Sequence, residues 1–355
     1  MPARPDLARP AAPIADMFAA ARQRFAELGH ERDIGAPVTQ VLCWGGSPAF
    51  AAGDGCLHVL AVDAGAAAKI EVHGGAILSA CCSPDGHEVL SGGDDGFARI
   101  VGAGGVARGL AKARRGWMDH VAWSSWRGIA FASGRDVQVH AEGITQTIEL
   151  PSACGGLAFA PKGRRLAIAH YGGVTLASSA PAGWTTQHLA WKGSHIGVTW
   201  SPDCRFLLTV MQESALHGWR LADQTSLHMG GFPAKPRSLS WSRNGHWLAT
   251  SGGQGLLLWP FKGKDGPMGH SARQLVARDD LASAVAFHPK GRLIAVGYGD
   301  GAIVLMDWAA ETMAMMRAPD REAVHKLLWA PHGAWLAFAA GESLVGVINM
   351  AASER

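Results

Sequence analysis

Charge is scarce in this chain. Asp, Glu, Lys and Arg make up 17% of 355 residues, and their formal balance is only +3. So small an excess offers no broad field to hold a nucleic acid or an anionic membrane surface. Long apolar runs are also missing. No stretch approaches the roughly 18–20 residues of a membrane span, and the opening MPARPDLARPAAPIADMF lacks a continuous apolar core of signal-peptide length. The six cysteines (Cys43, Cys56, Cys81, Cys82, Cys154 and Cys204) show no disulfide spacing and no C-x-x-C, and several sit inside apolar runs. That pattern reads as reduced thiols in a cytoplasmic protein. Sixteen histidines are many, yet no His/Cys cluster has the spacing of a zinc site. Neither G-x-x-x-x-G-K-[ST] nor H-E-x-x-H occurs, which removes phosphate-loop and zinc-peptidase chemistry. Gly341-Glu-Ser-Leu-Val345 lacks the final glycine of a nucleophile elbow. Gly102-Ala-Gly-Gly-Val-Ala-Arg-Gly109 falls between strands and reads as a turn. The basic run Arg108, Lys112, Arg114, Arg115 reads as a solvated outer strand and connector.

What is present is a repeat. Gly is abundant at 46 residues, and glycine supplies the positive φ of tight turns at no steric cost. An apolar strand ends in an aromatic and a small residue, then a turn close to Pro-Asp-Gly, then a second apolar strand, a Gly-rich turn and a third strand. Ile77-Leu-Ser-Ala-Cys-Cys-Ser-Pro-Asp-Gly86 and Val198-Thr-Trp-Ser-Pro-Asp-Cys204 are two copies. Others are centred on Pro161, Arg243, Pro289 and Pro331, with weaker ones near Trp44 and Ser125. From Pro161 to Pro202, and from Pro202 to Arg243, the step is 41 residues. A period of about 40–45 with such turns is that of a propeller blade. The first two strands alternate small and large apolar residues, as strands covered on both faces do. One blade cannot bury both faces alone, and stacking around an axis buries all of them. Trp123, Trp200, Trp241 and Trp329 share one phase at the strand end and read as core.

The fullest copy runs from His73-Gly-Gly through Ser-Pro-Asp-Gly86 to Leu90-Ser-Gly-Gly-Asp-Asp-Gly96. It resembles the WD-repeat family, and the succession of copies extends the resemblance over residues 38–350. The resemblance implies a structural hydrogen-bond network of His, Ser or Thr, Asp and Trp. His73, Ser91 and Asp95 match it, with Val101 in the Trp slot. The fifth copy offers Thr209, Glu213 and Trp219, with Trp191 in the His slot. The seventh keeps Asp300, with Met306 for Trp and Val296 for Ser.

The expected fold is therefore all-β: a propeller of four-stranded antiparallel blades, eight favoured and seven the alternative. Residues 36–355 form the single propeller domain. Residues 1–35 form a tail with a short helix and a ring-closing strand. Arg22–His30 resembles the outer strand that the family lends to its last blade, against a helical spacing of Met17, Phe18, Ala21, Phe25 and Leu28.

The resemblance implies a non-enzymatic scaffold that binds a protein or peptide on the face where the innermost strands begin. No cofactor, metal, nucleic acid or membrane is expected, and a monomer is. Trp117, Asp119, Lys235, Arg237 and His325 occupy that rim, and an aromatic and an Arg among charges have the composition of a hot spot. The insertion Lys262–His270, a recognition loop or a tolerated surface loop, stretches one step to 46 residues. The alternatives are a metal-homeostasis accessory protein with a site drawn from His195, His325 or Cys154, and an enzyme using the central channel.

Overall fold

A computed structural model describes residues 14–63, 67–181, 183–275 and 278–351. The second repeat displays the common unit. Ile77–Cys82, Val89–Gly93, Phe97–Val101 and Ala107–Lys112 lie side by side in chain order, each antiparallel to the one before. The turn between the first two strands is built by its own side chains. Ser83 Oγ donates to Asp85 and accepts from the Glu88 N–H, and the Gly86 N–H donates to the Ser83 carbonyl. Gly86 sits at φ 73°, in the left-handed region that glycine occupies freely.

The other copies follow the same order. The first is Val38–Trp44, Ser47–Ala52, Cys56–Leu60 and Ala67–Glu71; the third is His120–Trp123, Ile129–Ser133, Asp136–Ala141 and Ile144–Glu149. The sixth is Leu239–Trp241, Trp247–Gly253, Gly255–Pro260 and Arg273–Leu275; the seventh is Ala282–Phe287, Leu293–Tyr298, Ile303–Asp307 and Thr312–Arg317. The fourth and fifth copies run together through two long strands, Arg165–Ala180 and Gly183–Trp200. Leu166–His170 pairs with the innermost strand Cys154–Phe159, Tyr171–Ala180 pairs with Gly183–Ser194, and His195–Trp200 opens the next copy by pairing with Phe206–Met211. Leu216–Arg220 and Thr225–Met229 complete it. Counted as continuous hydrogen-bonded sheets, the propeller has seven, the alternative number; one of them is six-stranded and carries two of the eight sequence copies.

The eighth copy has only three strands of its own, Val324–Trp329, Trp335–Ala340 and Leu344–Asn349. Its outer strand is Gly29–Asp33 from the other end of the chain, with Gly29 opposite Ile348 and Asp33 opposite Leu344. The expectation for Arg22–His30 is corrected here. The helical spacing prevails over Ile14–Leu28, and the closing strand starts only at Gly29. The helix lays Met17, Phe18 and Ala21 on the seventh unit and Phe25 and Leu28 on the eighth.

Eight apolar clusters lie between successive units and form the core. One joins Leu42 and Leu57 to Ile77 and Val101; another joins Val38 and Phe50 to Trp335 and Ala337, which closes the circle between the eighth unit and the first. Between the fifth and sixth units the strands beyond the innermost are packed, with Phe206 and Leu227 against Leu248 and Phe261. Their innermost strands splay apart at one end. Pro236 falls where other copies begin the strand and has no N–H to give, so pairing starts only at Leu239. The Arg237 and Ser238 N–H groups donate to Ser251 Oγ, the Ser251 N–H donates to Ser238 O, and the Ala234 N–H donates to Gly252 O.

Candidate docking face

Antiparallel order fixes two opposite faces. The starts of the innermost strands, the second-to-third turns and the links to the next unit share one face; the Pro-x-Gly turns and the third-to-fourth turns share the other. Of the exposed large apolar side chains, Trp117, Tyr171, Trp191, Ile196 and Leu281 belong to the first face and Val106, Ile144 and Met268 to the second. Among the described residues the exposed Trp and Tyr side chains are therefore on the face where the innermost strands begin, and they fall on the third, fourth and fifth units. Tyr171, Trp191 and Ile196 were not among the residues expected at this rim. The signal for Tyr171 was an aromatic followed by Gly-Gly, which in the structure is a register shift between Tyr171 and Gly173 within the long strand.

Trp117 is 61% exposed and is presented by a fastened loop. The Ala113 N–H donates to Gly96 O, the Met118 N–H to Gly93 O, and Ser133 Oγ to Arg115 O. Arg114, Arg115 and Arg135 rim an adjoining cavity of about 540 Å³. Asp119 has a local duty, accepting the Gly134 N–H through Oδ2 at 3.1 Å. Lys235 and Arg237 come together in a cavity of about 670 Å³ at the splayed seam, with Ile196 and, from the first unit across the ring, Gln40. His325 is half-buried on the innermost strand of the eighth unit, and burial lowers its pKa. Thus Lys235 and Arg237 share a site, while Trp117 with Asp119, and His325, stand elsewhere on the ring.

The side chains assigned to structural networks divide sharply. In the second unit His73 Nδ1 is 2.9 Å from Asp95 Oδ1 and Nε2 is 2.9 Å from Ser91 Oγ, with Val101 fully buried. Asp95 also accepts the Gly74 and Phe97 N–H groups. In the fifth unit Thr209 Oγ1 meets His195 Nδ1 at 2.7 Å, so His195 takes the bond that His73 makes in the second unit, while Trp191 keeps the sequence slot. Trp219 is buried against His195 and His217. Trp191 stacks on His217 with centroids 3.8 Å apart. Both His217 ring nitrogens are buried without a hydrogen-bond partner, and burial, with His195 and His228 nearby, brings its pKa down to about 3. In the sixth unit Trp259 Nε1 donates to Thr250 Oγ1 at 3.2 Å, a pair the sequence reading did not single out. Asp300 accepts the Ala302 N–H and an ion pair from Arg278.

The residues considered for a metal are not assembled. His195 bonds Thr209 and Trp191 O, Cys154 donates to Gly156 O, and His325 lies on another unit; no metal-holding group of three occurs among the described residues. The insertion Lys262–His270 lies on the opposite face, tied to the fifth unit by Arg205 on Gly263 O and by Arg220 on Asp265. Among the described residues no helix is long and apolar enough to cross a membrane.

Two stretches, residues 67–101 and 269–307, match the family model described as WD domain, G-beta repeat. They cover the outer strand of the first unit with the second unit through its third strand, and the outer strand of the sixth unit with the seventh through its third strand. No curated protein matches the chain.

Proposed function

The chain is a WD-repeat β-propeller, and from that premise we propose that it is a non-enzymatic platform docking a protein partner on the face where its innermost strands begin. Propellers of this family generally bind protein partners. One observation carries the choice of face: Trp117, Tyr171 and Trp191 are exposed there, and among the described residues the opposite face exposes no large aromatic. Aromatic side chains supply large contact area at low entropic cost, and arginine adds directed hydrogen bonding. Trp117 and Arg237 are the anchors in this reading, with Lys235 beside Arg237. Asp119 shapes the loop under Trp117, and His325 borders the channel. The ring is stable as a monomer, and the unbridged cysteines suit a reducing cytoplasm.

The test is affinity purification of the full chain from the cells that express it. Wild type, Trp117→Ala, Arg237→Glu and the opposite-face variant Met268→Ala are compared. The same partner should be depleted by the first two substitutions and retained by the third. Retention by all three variants contradicts the assignment of the face.

A further inference from the structure

The seam between the fifth and sixth units differs from the rest of the ring. Pro236 shortens the innermost strand of the sixth unit to Leu239–Trp241, so the two innermost strands meet only near the Pro-x-Gly face, where Trp241 Nε1 donates to Thr199 Oγ1. Above that bond lies the cavity of about 670 Å³, within the roughly 300–1,000 Å³ of ordinary ligand pockets. Ile196, Val198, Leu208, Val210 and Leu239 give its wall an aliphatic side, and Thr199 and Gln40 add polar groups. Lys235 and Arg237 stand at its mouth. No Asp or Glu lines it, and neither cation forms an ion pair among the described residues.

Two uncompensated cations over an aliphatic wall select an anion with an apolar body. Arg237 can hold a carboxylate through parallel N–H bonds, and Lys235 adds a point charge. We infer that this seam receives an acidic-aliphatic peptide segment of the partner, its carboxylates on Lys235 and Arg237 and its aliphatic side chains against Ile196, Val198, Val210 and Leu239. The segment enters beside the short innermost strand of the sixth unit, whose Arg237 and Ser238 N–H groups are already held by Ser251 Oγ, so side-chain contacts rather than strand pairing hold it. This inference rests on the reading of the same face as the docking face, and it adds the chemistry of what docks.

The probe is a fluorescein-labelled hexapeptide, Glu-Leu-Asp-Ile-Glu-Leu, titrated by anisotropy against the full chain. An amide analogue with Gln and Asn in place of the acids, and octanoate, serve as comparisons. The acidic peptide should bind saturably and weaken as salt rises. The amide analogue, and the double variant Lys235→Glu/Arg237→Glu, should each bind at least about tenfold more weakly. Met268→Ala, on the opposite face, should bind as wild type does. Circular dichroism and a thermal melt check that the double variant stays folded.

Equal binding of the acidic and amide peptides, no binding of either, or full binding by the double variant overturns the inference. Octanoate binding tighter than the peptide, and lost in the double variant, overturns it in favour of a small amphiphile. In the affinity purification, a partner lost with Trp117→Ala but kept by the double variant leaves the docking face standing and removes this seam.

Discussion

The second and fifth repeats fold into the same four strands around different polar interiors. In the second, His73 is held between Ser91 and Asp95, and both its nitrogens are used. In the fifth, His195 meets Thr209 but His217 beside it has no partner at all, and apolar and aromatic contacts with Trp191 and Trp219 take the place of hydrogen bonds. The turns differ too. Gly86 of the second unit sits at φ 73°, and its counterpart in the fifth is Cys204 at φ 61°, a conformation a side chain adopts at a cost. The second unit matches the family model and the fifth does not. A blade of this propeller is thus specified by its apolar alternation and its turn; the polar network is one of several ways to fill the space between strands.

Aromatic packing in the fifth unit should prove the larger stake. Trp219 is 2% exposed, so Trp219→Ala should cost about 3–5 kcal/mol. Val101→Ala, in the matching slot of the second unit, should cost about 1–2 kcal/mol by denaturant titration. Comparable losses would mean that the two slots bear equal weight.

Acid should act on the fifth unit next. A histidine held neutral in the fold and free to protonate when unfolded contributes stability that is intact above the unfolded value of 6.5 and is lost as pH falls toward the folded value. For His217 that window runs from 6.5 down to about 3. Lowering the pH from 6.5 to 5 should therefore remove about 2 kcal/mol through this residue. His217→Phe should flatten the same interval by that amount, and an unchanged pH profile would show that His217 takes up its proton as readily in the fold as in the unfolded chain.

One substitution made in both units sharpens the contrast further. His73→Phe strands Ser91 and Asp95 and should cost about 1–3 kcal/mol, whereas His217→Phe at pH 8 replaces an unpartnered imidazole by a ring of similar shape and should be neutral or mildly stabilising. The smallest effect belongs to the turn. Cys204→Gly relieves the left-handed side chain and should stabilise by about 0.5–1 kcal/mol, while Gly86→Ala should destabilise by a similar amount.

The repeat was legible because its cues are local. Proline and glycine punctuate each copy, and small-large alternation marks the covered strands. Closure was less so. Gly-His-Glu-Arg-Asp at residues 29–33 has no apolar rhythm, because an outer strand at the rim needs none, and only its pairing with Leu344–Ile348 identifies it. Phe25 and Leu28 carry the helical spacing, yet in the sequence the resemblance of Arg22–His30 to an outer strand outweighs it, and the helix over Ile14–Leu28 overturns that expectation. Lys235 and Arg237 could be placed at the rim by counting back from the turn position, but the seam they crown arises from where Pro236 falls among strands distant in sequence. His217 reads in sequence as the outward polar residue of an alternating strand; Trp191, contributed by the preceding link, is what buries it.

The most direct test of the docking face is hydrogen exchange on the chain alone and bound to its purified partner. Protection on binding should appear at residues 113–118, 191–196 and 234–239 and be absent from the turns at 84–86, 202–204 and 262–270. Protection confined to those turns, with no change around Trp117, Trp191 and Arg237, would contradict it.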